Sequence, residues 1–148
     1  MGLFDAINIA ASGMSAERVS MDVTAENLAN AQTTNGANGQ PYQRQMVVLQ
    51  QVGSGGFQQT LAGAMGTAGA STPGGVAVAG IVADPTPDQL VYDPGNPAAN
   101  KQGYVRMPNV SSVTEMVNLI NESTSYQSDV TAMQTAKDML TSTLGVLK

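Results

Sequence analysis

Apolar side chains recur at alternating spacings of three and four near the start of the chain. Phe4, Ile7, Ala11, Met14, Arg18, Met21, Ala25 and Leu28 mark one such line, with Arg18 its single polar member. This is a heptad seam, and it predicts a helix from about Leu3 to Asn30, about 42 Å long at 1.5 Å per residue. A weaker stripe of Ile9, Ala16, Val19 and Val23 lies opposite. A helix apolar on two faces calls for more than one neighbour. Gly13 within it costs about 1 kcal/mol relative to Ala.

The far end repeats the pattern. Met116, Leu119, Ser123, Tyr126, Val130, Met133, Lys137, Leu140 and Leu144 keep the same spacing, and Val113, Val117 and Ile120 widen the apolar surface at its start. Ser112 with Glu115 three residues on reads as a capping box, Pro108 marks the boundary ahead of it, and Gly145 is the expected stop.

Between these segments the pattern changes to strands and breakers. Thirteen of the 16 Gly fall between Gly36 and Gly103, and six of the 7 Pro between Pro41 and Pro97. Residues 1–35 and 109–148 contain no proline, so long helices are permitted at both ends. Tyr42–Val52, a stretch within Gly74–Ala83, Leu90–Tyr92 and Tyr104–Met107 are β-prone. Gly63–Gly75 is rich in Ala and Gly and reads as flexible. The expected organisation is therefore an N-terminal helix (1–35), a small β/loop domain (36–107, flexible over about 61–75) and a C-terminal helix (108–148). The class is mainly α with a small β-rich, Gly/Pro-rich middle.

Composition then narrows the chemistry. Ser, Thr and Asn are frequent in both helical segments, so packing rather than propensity must hold them, and the ends are expected to fray in an isolated monomer and order on assembly. Without Cys or His, thiolate chemistry, disulfides, Cys/His zinc sites and histidine proton shuttling are excluded. A net charge of −5 with no basic cluster offers nothing to nucleic acid or to an anionic lipid surface. Asp84, Asp88 and Asp93 are the best metal candidates, but their spacing fits no calcium loop and reads as solvated loop acids. Gly53–Gly56 lacks the Lys-Ser/Thr of a phosphate loop and reads as a turn. The opening MGLFDA matches an acylation site weakly and reads as an amphipathic start. No cleaved secretory signal and no span of membrane length is expected.

Thr24-Ala25-Glu26-Asn27-Leu28-Ala29-Asn30-Ala31 resembles the N-terminal signature of the flagellar rod, hook and hook-associated axial proteins, with Glu26 where Asn or Ser is more usual. Asn38-Gly39-Gln40-Pro41-Tyr42 with Arg44, Val47 and Val48 resembles the proximal-rod branch. So do Gly103-Tyr104-Val105, Pro108-Asn109-Val110, Glu115-Met116-Val117-Asn118-Leu119 and Tyr126-Gln127. The motif positions are thus Asn27, Leu28, Ala29, Asn30, Tyr42, Glu115 and Met116. The Ala/Gly-rich run 61–83 carries no recognisable motif of the family and reads as a lineage-specific surface element.

The resemblance implies terminal helices paired as an antiparallel coiled coil and a non-catalytic structural subunit with no cofactor. It also implies self-association, contact with other rod proteins, and delivery to the periplasm-crossing rod by the flagellar type III export apparatus without a cleaved signal. The expected assembly interface is Phe4, Ile7, Ala11, Met14, Met21, Ala25 and Leu28 with Met116, Leu119, Ile120, Tyr126, Val130, Met133, Leu140 and Leu144. On pattern alone a monomeric two-helix hairpin stays open, as do another axial protein and a secretion-linked coiled-coil adaptor. Arg18 and Lys137 interrupt their seams at a contact edge, by snorkelling or by pairing with a neighbour's acid. Asn30 is expected to act as a local cap, and Asn27 to bond the backbone of a packed neighbour.

Overall fold

A computed structural model describes residues 3–36, 39–52 and 74–146, with side chains described for residues 5–36, 39–52 and 74–145. The expectations for the Phe4 side chain, for the Gly53–Gly56 turn and for flexibility over 61–73 lie outside the described residues. Among the described residues six elements follow in order: α1 (Leu3–Ala29), β1 (Gln45–Gln51), β2 (Val76–Ala83), β3 (Gln89–Tyr92), β4 (Tyr104–Met107) and α2 (Ser112–Val146). The molecule is mainly helical, with a small β region between two long helices that pair in a coiled-coil-like way.

The chain divides into two compact units, and both helices and the β1–β2 pair contribute to each. The first unit comprises residues 3–18, 49–52, 74–79 and 124–146. In it the helices approach where α1 is small: a Cβ added to Gly13 would sit 2.5 Å from Asp129 Oδ2. Ala10 and Ala16 on α1 and Ala136 on α2 are buried. The glycine that weakens the isolated helix is thus where a side chain of the other helix lies. The start of β2 is pinned to α1 by Val76 N–H, which donates to Ser12 Oγ at 3.1 Å, and Val52 N–H donates to the Gly75 carbonyl at 2.7 Å.

The second unit comprises 19–36, 39–48 and 80–123. Its core is Val23, Val105, Pro108 and Val110, all buried. Here Thr24 of α1 donates to Glu122 of α2 at 2.9 Å. As numbering falls from 24 to 13 along α1, its α2 partner rises from 122 to 129, so the helices run antiparallel. β3 and β4 form an antiparallel hairpin in the register Leu90↔Arg106, Tyr92↔Tyr104. Its loop closes on Asn100, whose Oδ1 accepts from the N–H groups of Gln102 and Tyr104 at 2.9 Å each. Gly103 (φ 81°) sits in the left-handed region beside Tyr92, where a Cβ would lie 2.8 Å from the ring.

Three boundaries differ from the sequence reading. β1 starts at Gln45 rather than Tyr42 because Tyr42 and Arg44 are diverted to other partners, described below. The cap of α2 is Ser111, whose Oγ accepts from Thr114 N–H (3.4 Å) while its carbonyl accepts from Glu115 N–H (2.9 Å). Glu115, expected to close a capping box with Ser112, points its carboxylate into the unit instead. Finally, α2 does not stop at Gly145 but includes it and continues to Val146.

Candidate functional site

Two features could do work: a buried polar clasp in the second unit, and the apolar surface that helix pairing leaves uncovered.

The clasp is built from both ends of the chain. Asn27, near the end of α1 and 1% exposed, presents its amide to β1 as a strand residue would. Its Nδ2 donates to the Gln45 carbonyl and its Oδ1 accepts from Gln45 N–H, both at 2.8 Å. The same Oδ1 accepts from Tyr42 O–H at 2.9 Å. Tyr42 is held near the end of α1 by its N–H, which donates to Thr33 C=O at 3.0 Å, and Gly39 ahead of it adopts φ 70°. Burial raises the Tyr42 phenol above its ordinary pKa, with help from the charges of Glu26 and then Glu115.

Arg44 is the second hinge of the clasp. Its Nε donates to Glu115 Oε1 at 2.7 Å and its Nη1 to Asp84 Oδ2 at 3.3 Å. Its backbone N–H donates to Asn109 Oδ1 at 2.8 Å, and Asn109 Nδ2 donates to the carbonyls of Thr86 (2.9 Å) and Asp84 (3.3 Å). Glu115 is 1% exposed, and its Oε2 has no hydrogen-bond partner among the described residues. A carboxylate so buried tolerates its charge only beside a cation, so Arg44 is required there. The hydrogen bond with Glu115 leads in raising the Arg44 pKa. Asp84 is held below the ordinary carboxylate value chiefly by hydrogen bonds from the Thr86 side chain and backbone, and then by Arg44.

This geometry locks rather than reacts. Asp84, Asp88 and Asp93 do not converge: Asp88 pairs with Arg106 (2.6 Å) and Asp93 accepts from Asn96 (3.4 Å). Among the described residues no group of three or more His, Cys, Asp or Glu is placed to hold a metal, and no helix is long and apolar enough to cross a membrane.

The second feature follows from which faces pair. The face of α1 buried within the chain is small or polar: Ala10, Ala16, Val23, Thr24 and Asn27. Ala16 and Val23 belong to the weaker sequence stripe, whose Ile9 and Val19 are half-buried. Along the stronger seam, Ile7, Met14, Met21 and Leu28 are half-buried, and Ala11 and Ala25 are exposed. On α2, Leu119, Tyr126, Val130, Met133 and Leu140 are half-buried. Val113 (73% exposed), Met116 (52%), Val117 (51%), Ile120 (64%) and Leu144 (59%) face outward. The structure thus brings Asn27, Tyr42 and Glu115 into one clasp, while Leu28 is half-buried and Ala29 and Met116 are exposed. Asn30 serves its own turn, its Nδ2 donating to Glu26 C=O at 3.0 Å. Asn27 does bond backbone, that of this chain's β1.

Sequence reasoning missed Asp84 as an Arg44 partner and the Thr24–Glu122 bond across the helix pair. Glu122 was legible only as a polar residue one position from the Ser123 of the seam.

The comparisons with known proteins agree with this architecture. Residues 7–37 match the family model "Flagella basal body rod protein", and residues 101–146 match "Flagellar basal body rod FlgEFG protein C-terminal". The flagellar basal-body rod protein FlgC of Yersinia enterocolitica is 44% identical over 144 residues, covering 97% of each chain. That of Bacillus subtilis is 43% identical over 152 residues, covering 100% of each, and that of Borreliella burgdorferi 36% over 158, covering 100% of this chain and 99% of its own. Such likeness along the whole length, with the clasp residues of both matched segments meeting in space, leaves one conclusion: the chain belongs to the FlgC family of flagellar basal-body rod proteins, non-catalytic structural subunits of the flagellar proximal rod.

Proposed function

We propose that the chain polymerises into the rod through its terminal helices, with the large apolar side chains that the helix pair leaves uncovered forming the contacts between subunits. The observation that carries this reading is the exposed apolar group at the start of α2: Val113, Met116, Val117 and Ile120 are each more than half exposed. A contiguous apolar surface on a helix is costly in water and is relieved by burial against a partner. The interface so inferred comprises Ile7, Ala11, Met14, Met21, Ala25 and Leu28 of α1. On α2 it comprises Met116, Leu119, Ile120, Tyr126, Val130, Met133, Leu140 and Leu144, and Phe4 extends it from sequence alone.

The partners are further copies of this chain and other rod proteins, and the assembled position is the shaft crossing the periplasm. Transit through the flagellar type III export apparatus, without a cleaved signal, completes the reading. A chain with no disulfide and helices of modest intrinsic propensity suits unfolded export followed by folding on the growing end. The three-part division at 35/36 and 107/108 describes how it is used: helical ends in the shaft, the central segment presented to neighbours.

Electron microscopy of basal bodies from a deletion strain tests the proposal. Rods are expected to be missing or truncated, with loss of motility restored by the wild-type chain. Intact rods in the deletion strain would refute it.

A further inference from the structure

In the first unit the crevice between the helices opens into a groove of about 460 Å³, walled by Ala6, Ile9, Ala10, Leu49, Val76 and Ala132. Two carboxylates, Glu17 and Asp129, line the same groove and no basic residue does. Neither accepts a hydrogen bond or ion pair from a described residue. Burial together with the Asp129 charge raises the Glu17 carboxyl above its ordinary value. Two acids sharing an apolar crevice without a cation are an unfavourable arrangement in the lone chain, and one that a cation on an aliphatic stem would relieve.

We infer that this groove receives Lys137 of a second copy of the chain, an inference that rests on the self-association proposed above. Complementarity selects it. Of the Lys and Arg side chains described, Arg44 and Arg106 are already paired. Lys101 is exposed in the β3–β4 loop, and Arg18 is exposed on α1, where no large apolar side chain among the described residues is exposed beside it. Lys137 is exposed and makes no ion pair with a described residue. It occupies a polar gap in an apolar helix face, with Leu144 (59% exposed) two turns on along the same face. A neighbour burying that face must also bury Lys137, which then needs an acid. Its four-carbon stem suits the apolar walls and its ammonium the acid pair. Lys137 is not among the residues that line the groove, so each copy carries both a groove and a lysine to offer. When the pair of copies does not reciprocate it, such a contact is head-to-tail and propagates from copy to copy.

The absence of native cysteine allows a direct test. Chains carrying Glu17→Cys and chains carrying Lys137→Cys are co-expressed, and basal bodies are isolated and oxidised. The expected product is a disulfide-linked dimer of this chain, formed only when both variants are present. In parallel, Glu17→Lys and Lys137→Glu should each lower rod assembly by about tenfold or more, with substantial recovery when both are combined in one chain. Circular dichroism of the purified variants separates misfolding from lost contact. The inference is overturned if no dimer forms, if either cysteine alone dimerises as well, if the cross-link joins a different protein, or if the combined reversal is no better than the worse single. If the chain is absent from basal bodies altogether, the proposed function fails first; if present without the cross-link, only this contact fails.

Discussion

Arg44 shows how a single side chain can decide the fold of a weakly hydrophobic chain. It neutralises Glu115, which is 1% exposed, and gathers Asp84 to the same place. Removing it leaves a buried carboxylate without its cation, so Arg44→Ala should destabilise the chain by about 2–4 kcal/mol in denaturant titration. Asn27→Ala strands Gln45 N–H and Tyr42 O–H together, and about 1–3 kcal/mol is expected. The acids respond to pH in opposite senses. Asp84 has a depressed folded pKa relative to an ordinary 3.8, so its contribution is present above that value and is lost as pH falls through the folded one. Glu17 has a raised folded pKa relative to an ordinary 4.5, so its contribution is fully present below 4.5 and is lost as pH rises through the folded value. Glu17→Gln should therefore remove a stability decrease seen on raising pH above 4.5, and thermal melts across that range check it.

At the scale of elements, the helices are set by caps and close approaches more than by propensity. The hydroxyls of Ser128, Thr131, Thr135 and Thr143 donate to carbonyls four residues back, which satisfies them at little gain to the helix. Ser111 holds the start of α2, and Ser111→Ala should cost about 1 kcal/mol, whereas Ser112→Ala should cost much less. Gly13 exchanges helix propensity for contact. Gly13→Val would drive side-chain atoms into Asp129, and a loss of about 1–3 kcal/mol in the first unit is expected. Local hydrogen exchange of α1 and the end of α2 would report it. Both substitutions separate sequence-local from long-range causes: the first acts within one turn, the second across 116 positions (129 − 13).

For the whole molecule, the balance between buried and uncovered apolar surface is the functional quantity. Among the described residues the buried hydrophobic side chains are six, all Ala or Val, while Ile81, Leu90, Tyr92, Ile120, Met139 and Leu144 remain about half exposed or more. A core of small side chains motivates the expectation that the helical ends order on assembly. Circular dichroism of the dilute monomer should accordingly give less helix than the 62 residues of α1 and α2 (27 + 35), rising on incorporation into rods. Full helicity at micromolar concentration would count against coupled folding and assembly.

The positions and kinds of the elements were legible in the sequence because they depend on local rules. Proline-free heptads gave two helices, β-branched runs gave four strands, and each lies within a few residues of the structure. The signature residues around Asn27 and Glu115 also pointed correctly to the family. The register of faces was not legible. Periodicity identifies apolar stripes but not which stripe meets which partner, and the chain pairs its helices through small and polar side chains, leaving larger ones outside. Glu115 read as a cap because a Ser lies three residues before it; only folding, by bringing Arg44 from 71 positions away, made it a buried ion partner. The acid pair of Glu17 and Asp129 likewise exists only in three dimensions, since nothing local relates residues on two antiparallel helices. Local propensity fixed what each segment becomes, and long-range packing decided which side chains meet.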